Sequence, residues 1–161
     1  MEKTNCYTYF SICSNGEIGS GGLQSTEAGV FDPDVITKML GIEPFRKRKK
    51  GDRRIGVRDE NHPGARYGFS FWAACKQTEP AIDAEEQCVN IVRMLKEKIP
   101  LLLEIKKEYD VGFAIQIVPH IYNAEEPLIG FNSEIIEFCY LTGTEIGIDM
   151  YVYSEDVDRT E

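Results

Sequence analysis

Hydrophobic and polar residues alternate with changing period along this chain, and each change predicts an element. Residues 6–13, with Tyr7, Thr8, Tyr9, Phe10 and Ile12, read as a first strand. The glycine- and serine-rich stretch 14–29 reads as a flexible connection. Asp32 then offers a helix N-cap with Pro33 in the first turn, Val35, Ile36, Met39 and Leu40 on one apolar face, and Gly41 as a left-handed C-cap. Residues 67–75 alternate like a strand with Tyr67, Phe69, Phe71, Ala73 and Cys75 toward the core and Gly68, Ser70, Trp72 and Ala74 on the other face. Residues 55–58 make a possible short partner strand, with a turn at 61–64.

A long helix is predicted over 81–109, with Cys88, Ile91, Val92, Leu95, Ile99 and Leu102 as its buried stripe. Pro100 should kink it or restart it at Leu101. A clean alternation at 111–118 gives a third strand, with Val111, Phe113, Ile115 and Ile117 on one side. Asn132 caps a further helix that ends at Gly143, and 146–153 forms the last strand. The acidic tail after Tyr153 should fray.

Two segments echo each other: Phe31-Asp32-Pro33 through Gly41, and Phe131-Asn132-Ser133 through Gly143. Each is a capped helix between strand-like runs, so the chain reads as one domain with pseudo-repeat halves at about 6–75 and 111–153, joined by the long helix. The strands have one greasy and one mixed face, unlike a sheet covered on both sides. The predicted fold is α+β, a two-layer sandwich of about four strands with three helices on one face, resembling a ferredoxin-like duplication of two βαβ halves.

Net charge is −9, yet residues 46–54 carry a local +6, which leaves −15 on the remainder. Such a chain should be repelled by nucleic acid and anionic membranes, and neither is expected as a partner. No apolar run approaches the roughly 20 residues of a membrane span. Five scattered cysteines without close pairing fit a reduced, cytoplasmic setting.

Candidate chemistry is sparse. The mixed sheet face should carry Tyr9, Trp72, Gln116, Asp149 and Tyr151, aromatic and polar tips among small residues, as a platform for a protein or a shallow ligand site. Arg46, Arg48, Lys50 and Arg53 make an anion-binding loop thinkable, although no aromatic interleaving favours a single-stranded nucleic acid. Gly16, Gly19, Gly21 and Gly22 lack the spacing of a phosphate loop. His62 and His120, the two histidines, have no cysteine or acid at ligand spacing, so no metal or other cofactor is expected and no catalytic residue is assigned.

Phe31-Asp32-Pro33, Leu40-Gly41-Ile42-Glu43-Pro44, Lys50-Gly51-Asp52, Trp72 and the closing Ile148-Asp149-Met150-Tyr151 together resemble the bacterial domain of unknown function 4279 family over about residues 7–153. The chain departs from that pattern at Phe45-Arg46-Lys47-Arg48-Lys49, where the family often has threonine and tryptophan, which withdraws the expectation of an aromatic contact from this loop. The resemblance implies a small bacterial cytoplasmic protein and no established chemistry. The residues themselves favour a non-enzymatic binding protein, such as an immunity or accessory protein, that docks a partner or a second copy. The alternative is a sensor or enzyme for a small anionic metabolite.

Overall fold

Ten residues of alternating pattern at the start of the chain form the central strand on which everything else is assembled. The computed structural model describes residues 2–15 and 29–153. The glycine-rich stretch that begins at Gly16 and the tail from Ser154 lie outside the described residues.

The elements run β1 (Asn5–Ser14), α1 (Pro33–Leu40), β2 (Arg46–Arg48), β3 (Phe71–Gln77), α2 (Ala84–Leu95), a 3-10 turn (Lys96–Lys98), α3 (Ile99–Glu108), β4 (Val111–Tyr122), α4 (Ser133–Thr142), β5 (Thr144–Ile148) and β6 (Tyr151–Tyr153). They make a mixed sheet of six strands in the order β2-β3-β1-β4-β5, with β6 beside β4 further along the edge that β5 occupies. Pairing is antiparallel except where β5 and β6 lie parallel to β4. The α+β class stands, and six strands replace the expected four.

The two expected βαβ halves differ in construction. Two antiparallel steps separate β1 from β2, so these strands run the same way but β3 lies between them. The second unit, β4-α4-β5, joins adjacent parallel strands. The ferredoxin-like duplication is therefore not seen as two equivalent units.

The helix ends are as the residues dictate. Asp32 accepts from the Asp34 amide, Asn132 accepts from the Ile135 amide, and Gly41 and Gly143 close their helices at φ 64° and 62°. The long helix breaks into α2, the 3-10 turn and α3, with Pro100 in the first turn of α3, so the restart falls at Ile99. The core lies between the helices and one face of the sheet. Phe10 and Ile12 of β1, Trp72 of β3 and Phe113, Ile115 and Ile117 of β4 meet Ile36 and Leu40 of α1, Ile91 and Leu95 of α2, Leu102 and Ile105 of α3 and Phe138 of α4. Each such side chain, taken out of water, contributes on the order of 1.5–3 kcal/mol.

The second strand differs from its prediction in extent and in facing. It begins at Phe71 rather than Tyr67, and 55–58 forms no strand. Trp72 sits opposite Ile12 and is fully buried on the helix side, where its Nε1 donates to Thr37 Oγ1 of α1 at 3.0 Å. The register shifts between Thr8 and Phe10, next to Cys75 at φ 58°, so Ala74 and Cys75 both reach the core. A buried indole needs a partner for its N–H, and α1 supplies one. Trp72 is thus a core anchor and not a member of any surface site.

Candidate functional site

The sheet face away from the helices gathers the residues with the most chemistry. Alternation sends Tyr7 and Tyr9 of β1 and Gln116, His120 and Tyr122 of β4 to this face, and register sets Tyr9 opposite Gln116 and His120 opposite Tyr151. The rings form a continuous ladder. Phe45 meets Tyr9 edge-on at 5.3 Å, Tyr9 stacks on Tyr7 at 6.3 Å and Tyr7 on His120 at 6.0 Å. His120 then stacks on Tyr151 at 5.1 Å and on Tyr153 at 5.8 Å, and Tyr153 on Tyr122 at 4.4 Å. Such pairs add about 0.5–1.5 kcal/mol each beyond their buried area. Phe45 supplies the aromatic contact that the departure from the family pattern had withdrawn.

Polar groups fix the ladder. The Tyr151 hydroxyl donates to Asp149 Oδ2 at 3.1 Å, and this bond to a carboxylate raises the Tyr151 pKa. Partial burial raises that of Tyr9, with Tyr7 and Asp149 adding to the effect and Arg46 opposing it. Tyr122 is pushed up to about 12 by desolvation and its bond to Glu2. All these phenols stay neutral at pH 7, as hydrogen-bonding tips on apolar rings. Lys76 holds its ammonium 4.4 Å from the Tyr7 ring centre, and Arg46 lies 5.8 Å from that of Phe45, so one end of the ladder is cationic and the Asp149 end anionic.

The glycines on this face are partly covered by neighbouring side chains. A Cβ on Gly147 would collide with the Gln116 amide, which lies over it, and one on Gly112 would come within 3.1 Å of Asn15 Oδ1. A groove of about 450 Å³ does open at the small-residue end, lined by Ser11, Cys13, Gly112, Ala114, Lys106 and Glu145 among others. Its one amine is occupied: Lys106 Nζ donates to the carbonyls of Thr142 and Gly143 and so caps α4.

The basic segment is largely a strap. Lys47 pairs with Asp34 at 2.6 Å and Lys49 with Asp32 at 3.1 Å, which ties β2 to the first turn of α1. Arg53 pairs with Glu60 at 2.8 Å, and the Arg48 guanidinium lies 5.4 Å from the Tyr67 ring centre. The Lys50 backbone amide donates to Ser70 Oγ. Arg46 and Arg48 face the open side of the sheet, because they pair with Ala73 and Phe71, while Arg53 lies beyond β2. The cleft here, about 360 Å³, is lined by Asp32, Asp34 and Asp52 as well as by cations, so it is not a one-signed anion trap.

Of the five residues expected on the platform, Tyr9, Gln116, Asp149 and Tyr151 do come together on the open face, and Trp72 does not. Phe45, Lys76, His120 and Tyr122 join them unforeseen. Period-2 counting from Gln116 would have placed His120 and Tyr122 there; Phe45 and Lys76 depend on pairing that the sequence does not express. All five cysteines are free thiols. Burial pushes Cys75 up to about 11 and Cys88, with help from nearby Cys139 and Cys6, up to about 12, which makes poor nucleophiles. Among the described residues, no group of three or more His, Cys, Asp or Glu side chains could hold a metal ion, and no helix is long and apolar enough to cross a membrane.

The family model settles kinship. The chain belongs to the DUF4279 family, a domain of unknown function. The match spans residues 4–153, from the start of β1 to the end of β6. No curated protein and no solved structure gives a significant match. The DUF4279 match thus includes both capped helices and every rung of the aromatic ladder, with no chemistry attached to either.

Proposed function

We propose that this DUF4279 chain is a protein-binding domain that docks its partner on the open sheet face, in an immunity or accessory role. The observation that carries the reading is the aromatic ladder, a row of rings with polar tips on a face that no described helix covers. Tyrosine-rich surfaces of this kind supply contact area at low conformational cost. The rings turn their faces to one another, most closely at Tyr122–Tyr153 and His120–Tyr151. The surface that a nucleobase would stack on is therefore already used, which favours a protein over a single-stranded nucleic acid. The net charge of −9 favours a basic partner and speeds its approach.

Replacing Tyr7 and Tyr9 together by serine tests this. The partner retained on immobilised protein from the native host should be lost at least tenfold in the double variant, with the fold checked by thermal melting. Equal retention by both proteins overturns the reading. The rival, a small anionic ligand in the groove beside Cys13, is favoured instead if phosphorylated metabolites raise the melting temperature, as a true ligand must by mass action.

A further inference from the structure

The two edges of this sheet are treated in opposite ways. One is β2, three residues long and composed of Arg46, Lys47 and Arg48. A short cationic edge is a common defence against pairing with another chain. The other is formed by β5 and β6, at 144–148 and 151–153 with a two-residue break between them, and among the described residues no strand pairs with them on the side away from β4. That edge lacks the defence. No lysine or arginine occurs between Lys107 and Arg159, whereas Glu137, Glu145 and Asp149 fall on α4 or along this edge; Glu134, also on α4, is paired with Arg93. Ile148, Met150 and Val152 are exposed at 47%, 50% and 69%, where an edge under no other demand would carry polar residues.

Resting on the reading of the chain as a protein-binding domain, we infer that the β5–β6 edge is a second contact surface, which takes an extended segment of a basic partner protein as an added strand. The chemistry of that segment follows from alternation. Glu145 projects on the open face beside Gly147, and Asp149, in the break after β5, accepts from the open-face Tyr151, while Ile146 and Ile148 project on the helix face, opposite the core residues Ile115 and Ile117 of β4. A strand laid along this edge places alternate side chains beside each set. Cationic residues meet Glu145 and Asp149, and apolar residues extend the row of Ile146 and Ile148. Main-chain hydrogen bonds hold the segment and the alternating pattern selects it. A second copy fits less well: two-fold antiparallel pairing centred on Gly147 would set Glu145 against Asp149 of the other copy, and each copy carries −9.

A labelled peptide of alternating lysine and valine, its glutamate–valine counterpart and a lysine–valine peptide with alternate amides methylated make the test. Fluorescence anisotropy on the full chain should give binding at least tenfold tighter for the lysine peptide than for either control, weakened by salt. Amide exchange should slow at 144–153. Ile148→Lys with Val152→Lys, at two exposed positions, should abolish the effect. Binding without regard to charge, protection elsewhere, or no binding overturns the inference. So does a concentration-dependent dimer protected at 144–153 without peptide, because the occupant is then a second copy. The Tyr7 and Tyr9 double variant should bind the lysine peptide unchanged, so this inference and the docking role of the open face can fail separately.

Discussion

Helices α1 and α4 are near copies in their punctuation and opposites in what they lead to. Each starts on an Asx side chain and ends on a left-handed glycine. Yet α1 carries the chain across β3 to a short basic edge, whereas α4 returns it to the neighbouring strand and an acidic, apolar edge. The capping chemistry is local and portable; the function of each half depends on what flanks it. The basic segment after α1 folds back to neutralise Asp32 and Asp34, and nothing equivalent follows α4.

The largest expected effect concerns how α1 is fastened. Trp72→Ala should cost about 3–5 kcal/mol in denaturant unfolding, because it empties a fully buried site and leaves Thr37 Oγ1 without its donor. Trp72→Phe should cost far less, and a cycle with Thr37→Val should show coupling of about 1 kcal/mol. Without coupling, the indole bond would not be what ties α1 to the sheet.

The two glycine caps should separate next. Gly41→Ala and Gly143→Ala each force alanine into left-handed backbone, at about 1 kcal/mol. A Cβ at Gly41 meets nothing within 4 Å, but one at Gly143 comes within 2.6 Å of Lys106 Nζ and disturbs its two carbonyl bonds. The Gly143 variant should therefore melt lower, and equal melting would dissolve that distinction.

The smallest effect is a difference in acid sensitivity. The Asp34 amide and then Lys49 hold the Asp32 carboxyl below its ordinary pKa. A lowered folded value means the contribution is present above the unfolded pKa of about 3.9 and is lost as pH falls through the folded one. Asn132 cannot titrate. Asp32→Asn should flatten stability against pH below about 4, and Asn132→Asp should steepen it there.

Much of this fold was legible because it is local. Asp32, Pro33 and Gly41 specify a helix within ten residues of chain, and the alternation of β4 names its core face unaided. What escaped depended on distant partners. Trp72 was misplaced because Phe69 and Phe71 looked like the greasier set, whereas Thr37 and the register shift beside Cys75 decide the facing. Strand β2 was hidden inside a run of cations, since a strand of arginine and lysine has no hydrophobic period and exists only by pairing with β3. The candidate platform was half visible: period-2 counting found Tyr9, Gln116 and Tyr151, while Phe45, just before β2, and Lys76 of β3 reach the ladder through pairing that the sequence does not name.

The buried thiols give the molecule an internal reporter. Cys88 is sealed in the core with its ionisation pushed up to about 12, so at neutral pH an alkylating reagent finds almost no thiolate until α2 opens. Cys13, half-exposed on the open face, is also raised in pKa by burial but can be reached without such opening. The ratio of labelling at the two sulfurs is therefore a clock for breathing of the core, built from residues that carry no chemistry of their own.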